Sequence, residues 1–235
     1  MNQMQFEAEI LRDDAVVPRD VVRERVYGGV RVAAEWPPLL STPEIRLAID
    51  VEGDFDRRDA PAYVELFFHD VFLLLNLSTP GSFGGTVSMS GGESRVRDVT
   101  FSARVFSYAS ELEQVPLDRV VAWYDGLQIG TQQLATDGAA AALFQLLHLA
   151  RGEEDEETSI LRLAAATEAI AGRPAELRRL FELREEIARG RTTVVHPMHD
   201  DGLDPRVEDI TAEWIEVADS AAGFVIRALQ RMAAT

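Results

Sequence analysis

The sequence predicts an α+β fold: a β-rich N-terminal domain (antiparallel sheet or sandwich) over residues 1–115, followed by an all-α helical bundle over residues 116–235. Three observations predict it. Up to about residue 115, short β-type runs alternate with turn signals. Beyond Pro116 the segments lengthen and alanine and leucine dominate. With 235 residues, 46% of them hydrophobic, the chain can fill one large core or two small ones.

The β-type runs are RVYGGVRVAAEW (25–36), EIRLAIDVEGDF (44–55), AYVELFFHDVFLLLNLSTPGS (62–82), GGTVSMSGG (84–92) and RVRDVTFSARVF (95–106). Gly-Gly, Pro-Gly and Ser-Gly pairs punctuate them, as in an antiparallel sheet or small sandwich. A helix opens after Pro116 through DRVVAWYDGL. AAAALFQLLHLARG (139–152) is apolar on most faces, which predicts a buried helix. GEEDEE (152–157) is an acidic connector. Thr158 or Ser159 then caps ILRLAAATEAIAG, and Gly172 ends it. Pro174 opens the next helix. Leu177, Leu180, Leu183, Ile187, Gly190 and Val194 recur along it every three or four residues, predicting about six turns to Val195. A last helix, roughly 206–232, carries Trp214, Val217, Ala221, Phe224, Ile226 and Leu229.

Composition narrows the chemistry. The chain has no cysteine, which excludes disulfides, thiolate-bound metals and thiol nucleophiles. The N-terminus lacks the basic and apolar regions of a signal peptide. The run Ala62–Leu77 is interrupted by Glu65, His69 and Asp70, so no membrane partner and a cytoplasmic location are expected. The net charge is −17, and every basic residue is arginine. Such an acidic chain opposes non-specific nucleic-acid binding, which neutralises phosphates with basic groups. One stretch differs: Arg173–Arg191 holds six arginines against four glutamates, a local field suited to anions. A solvated helix face laced with Glu–Arg pairs is the plainer reading.

Few motifs carry chemistry. The glycine-rich GSFGG (81–85) and SGG (90–92) lack the Lys-Ser/Thr of a phosphate loop and read as turns. His69 and Asp70 lie in a strand-like run, where neighbours point to opposite faces. His148 sits on a largely apolar helix and reads as a core histidine. HPMHDD (196–201) could offer His196, His199 and Asp200 to a divalent metal, but Pro197 breaks the helical geometry that would set two imidazoles on one face. No metal and no cofactor is therefore expected.

Arg191 and His196 remain. The predicted helix ends near His196, where the macrodipole favours the imidazolium and moves its titration toward working pH. Arg191 lies five residues earlier, a rise of about 7.5 Å with a rotation of about 140°. Arginine would fork onto a phosphate and histidine would move a proton.

A helix bearing Thr167-Glu-Ala-Ile170, then a long helix ending Arg191-Thr-Thr-Val-Val-His-Pro197, resembles the HEPN family. The likeness covers about residues 139–235. The family's motif is an arginine, four to six residues and a histidine. Arg191 and His196 match the shorter form, and Arg189 and His196 the longer. The resemblance implies an all-α bundle that forms a homodimer, with two motifs facing one cleft. It implies a metal-independent endoribonuclease of bacterial defence or stress response, with RNA as substrate. His196 would assist attack by a ribose 2′-hydroxyl and Arg191 would stabilise the phosphorane, with Arg184, Arg189 and Thr192 contacting substrate. Other members are inactive dimerisation or partner-binding modules. Two departures stand out: Thr192 follows the arginine where active members often have Asn, Asp or His, and Met198 occupies the site of a modified tyrosine in the toxin subset.

Overall fold

A computed structural model of the protein describes residues 2–12, 19–40, 42–80, 83, 85–91, 94–101, 114–127, 138–150, 156–190 and 205–235. The fold is α+β with a β-rich N-terminal half, as the sequence predicts. Strands β1 (Asn2–Arg12), β2 (Glu24–Tyr27), β3 (Val30–Glu35), β4 (Glu44–Gly53), β5 (Gly85–Gly91) and β6 (Ser94–Phe101) form one antiparallel sheet in the order β2-β3-β4-β1-β5-β6. The period of two decides its faces. Phe6, Ala8 and Ile10 of β1 are buried with Ile45, Leu47, Ile49 and Val51 of β4, while Gln5, Glu7 and Arg46 point outward.

The chief correction concerns the run at 62–77. It is helix α1 (Ala60–Ser78), not strand-like. Pro61 suits the first turn, where a missing N–H costs nothing. Nineteen residues without apolar/polar alternation are too long for a strand in the core and fit a largely buried helix. Every residue from Phe67 to Ser78 is buried. α1 touches β3, β4 and β6 on one side, and α2 (Leu117–Gly126) and α6 (Pro205–Ala234) on the other. Its length and hydropathy would suffice for a membrane span, yet 72% of that window is buried inside the fold.

The apolar core is therefore continuous across residue 115. Polar bonds fix the seam. The Ser78 hydroxyl donates to the Val115 carbonyl at 2.7 Å, and the Val115 amide donates to the Ser78 carbonyl at 2.8 Å. Gln230 of α6 donates to the Leu77 carbonyl at 2.9 Å. Asn76 donates to the carbonyls of Phe72 and Phe83 at 2.8 and 2.5 Å and accepts from the Phe83 amide, satisfying backbone that burial would otherwise strand.

Beyond α2 the helices are α3 (Gly138–Ala150), α4 (Glu156–Ala171), a 3₁₀ turn (Ala175–Leu177), α5 (Arg178–Ala188) and α6. α4 begins at Glu156, so Thr158 and Ser159 sit in its first turn and do not cap it. Its start carries Glu156 and Glu157, which favour the positive end of the helix dipole. The helix expected to reach Val195 ends at Ala188. Gly190 adopts φ +62°, and its amide closes on the Ile187 carbonyl at 2.9 Å. A glycine in the left-handed region just past the last turn is a strong stop, and it outweighs the apolar stripe.

α3 and α4 meet through small residues. A methyl group at Gly138 would lie 2.2 Å from the Ala169 carbonyl oxygen. Gly138→Ala is expected to destabilise the protein by about 1–3 kcal/mol through this overlap, read as a lower urea midpoint. An unchanged midpoint would show that the helices part at no cost.

Candidate functional site

The arginine-rich stretch lies on the turn after α4 and along α5. Its chemistry follows from partners one or two helical turns away or on a neighbouring helix. Arg173 meets Glu168 at 3.0 Å and Glu185 at 3.5 Å. Arg184 donates to Glu168 at 2.7 Å. Arg178 meets Glu182 at 3.1 Å. Arg179 bridges Glu213 of α6 at 2.8 Å and Glu186 at 3.0 Å. Arg189 reaches Glu185 at 3.0 Å. Arg173 and Arg184 also stand over the Phe181 ring, 5.4 and 5.2 Å from its centroid.

These contacts leave their mark on titration. Hydrogen bonds from Arg184 and then Arg173 hold the Glu168 carboxyl below its ordinary value. The Glu213 hydrogen bond pushes Arg179 above its own. Each described arginine from 173 to 189 thus has a carboxylate, and a phosphate binding there would have to displace it.

Of the residues assigned to substrate, Arg184 lies on α5 facing α4, and Arg189 lies just past the end of α5. Arg191, Thr192 and His196 lie outside the described residues, as do His199, Asp200 and Asp201. The helix that was to carry both Arg191 and His196 stops before either, so the expected rise and rotation between them lose their basis. Among the described residues, no three His, Asp or Glu side chains gather to hold a metal ion.

The structure also assembles a buried cluster that strand logic hides. Asp70 is 8% exposed on α1. Its Oδ1 accepts the Tyr124 hydroxyl at 2.7 Å, and its Oδ2 accepts the Tyr27 hydroxyl at 3.0 Å. Arg25 Nε stands 3.5 Å from Oδ2, and Arg25 Nη2 reaches Asp125 at 2.7 Å. Arg25 also lies over the Tyr124 ring.

No family model, curated protein or solved structure matches this chain.

The cluster's role must therefore be read from its geometry. Burial raises the Asp70 carboxyl above its ordinary value, against the pull of Tyr124, Arg25 and Tyr27. Burial, then the nearby Asp70, raises both tyrosines. Both carboxylate oxygens are engaged by the fold's own donors. That arrangement suits a structural link joining β2, α1 and α2. The neighbouring His69 is buried, with Nε2 3.8 Å from Glu65 one turn earlier. On a helix, Asp70 and His69 serve different neighbours. The clue in the sequence is a carboxylate inside an apolar run, which burial must match with donors.

Tyr124→Phe is expected to cost about 1–3 kcal/mol, because it leaves the Asp70 oxygen short of a donor. Asp70 also has a pH signature. An acid whose folded value is raised holds its proton more tightly in the fold than in the unfolded chain. Its contribution is therefore present at low pH and lost as pH rises through the folded value. The stability of wild type relative to Asp70→Asn should fall as pH climbs from about 4. A relative gain over that range would show that the fold favours the carboxylate anion.

Proposed function

We propose that the protein is a partner-binding protein of HEPN type: the helical half is a dimerisation module and the β half a recognition unit. One observation carries this reading. The described arginines that lead to Arg191 and His196 are all matched by glutamates, so the approach to the motif has little attraction for a phosphate chain. The net charge of −17 acts in the same direction. The module works in the cytoplasm and needs no metal or cofactor.

The second reading is a metal-independent endoribonuclease. The Arg191-x4-His196 spacing supports it, together with the turn at Gly190, which releases the chain from α5 just before Arg191. In that case His196 takes the proton of a ribose 2′-hydroxyl as the oxygen attacks the adjacent phosphorus. Arg191 stabilises the added negative charge, and the leaving 5′-oxygen is protonated. Thr192 would add a hydroxyl contact.

Purified protein incubated with a mixed RNA pool in excess EDTA separates the two. The module reading expects no cleavage above the level of His196→Ala and Arg191→Ala, and a dimer by light scattering. Cleavage by wild type alone, leaving 2′,3′-cyclic phosphate ends, would overturn it in favour of the nuclease. A monomer would remove the dimerisation role.

A further inference from the structure

The outer face of the sheet, opposite α1, carries its polar residues in cross-strand rows. Arg31 of β3, Glu52 of β4 and Gln3 of β1 form one satisfied row: Arg31 bonds Glu52 at 3.2 Å and Gln3 bonds Glu52 at 3.1 Å. In the next row Gln5 bonds Asp50 at 3.2 Å. The row after that breaks the pattern. Glu35 of β3 opposes Ala48 of β4, Ala48 opposes Glu7 of β1, and Glu7 opposes Ser90 of β5. Two carboxylates flank one methyl group, two strand spacings or about 10 Å apart. Among the described residues neither Glu7 nor Glu35 has a cationic partner. Arg46, the cation that lines the trough, is held by Glu44 at 2.6 Å and Glu9 at 3.7 Å.

This row lies in a trough of about 860 Å³. Ala48 keeps its floor low. Trp36, Pro37 and Pro38 wall one end, and Trp36 is fixed by its indole N–H, which donates to the Val22 carbonyl at 2.8 Å. Small-molecule pockets enclose most of their ligand. This trough is open along its outer side and lies across four strands, a shape for a segment of chain. Its charge selects the occupant. Glu7, Glu9 and Glu35 face one arginine that glutamates already hold, and Trp36 offers an aromatic edge to the stem of a long cationic side chain.

The geometry points to a docking site for an arginine-bearing peptide segment of another protein, whose guanidinium sits over Ala48 between Glu7 and Glu35. This assignment rests on the reading of the β half as the recognition unit. The arginine-rich stretch of a second copy is a poor occupant, because its described arginines from 173 to 189 are matched by glutamates.

Fluorescence polarisation with a labelled alternating arginine–valine peptide, at physiological ionic strength, tests the site. Wild type should bind saturably. Glu7→Gln/Glu35→Gln should weaken binding about tenfold or more. Glu176→Gln/Glu216→Gln removes the same charge from exposed helical positions and should leave binding unchanged. Equal weakening in both variants would mean that only net charge acts and would overturn the site, as would absence of binding to wild type. Displacement of the peptide by an equal concentration of spermidine would overturn the choice of a peptide in favour of a polyamine. The same preparation is assayed for RNA cleavage. Failed peptide binding without cleavage sinks the groove alone, whereas cleavage sinks the module reading separately.

Discussion

Burial of α1 on every side from Phe67 to Ser78 is the constraint on which the rest of the structure depends. A helix that packs only against a sheet needs one apolar stripe. This one carries Val64, Phe67 and Phe68 in its first half and Phe72 to Leu75 and Leu77 in its second, all buried. Each such side chain contributes about 1.5–3 kcal/mol of transfer free energy when fully buried. That stabilisation is available only while the sheet covers one flank and α2 and α6 the other. The two halves therefore share a core, which is continuous across the change of composition near residue 115.

Sharing a core helix creates a polar problem, and the fold answers it locally. Asp70, Ser78 and Gln230 are buried at the seam, and each is bonded to groups from a different part of the chain. Hydrogen bonds of this kind add modest net stability, but they discriminate strongly against a misplaced neighbour. They set the register of α1 against β2, α2 and α6, which apolar contact alone would leave loose.

How much of this was legible in the sequence depends on the competing signals at each site. The turn marked by Gly28-Gly29 lies between β2 and β3, because glycine pairs act locally and tertiary context seldom overrides them. α1 was misread because a wholly apolar run has no period: both a buried strand and a buried helix erase it, and only length separates them. β1 is hidden for the opposite reason. Its buried set is short, Phe6, Ala8 and Ile10, and the intervening Gln and Glu residues are poor strand formers. In the helical half, the apolar stripe continues past Gly190, so periodicity argued for a longer helix than backbone geometry allows. The arginine stretch was visible as charge. Its pairing was only partly so: Arg178–Glu182 follows from helical spacing, whereas Arg179–Glu213 and Arg184–Glu168 depend on how helices pack. Arg191, Thr192 and His196 lie outside the described residues.

The place of β1 has a consequence for biosynthesis. Of the six strands it is made first, yet it ends in the middle of the sheet, between β4 and β5. Its pairing with β5 runs from Phe6 opposite Gly91 to Arg12 opposite Gly85. Some 70 residues must therefore follow β1 out of the ribosome before its second edge is covered, roughly 4–15 s at ordinary elongation rates. Through that interval the nascent chain carries an open strand edge, the form most prone to pair with a stranger. Gln3, Gln5, Glu7 and Glu9 alternate with its apolar residues, and two of the four are charged. The same glutamates that line the trough in the finished protein repel like-charged nascent strands while it is being made.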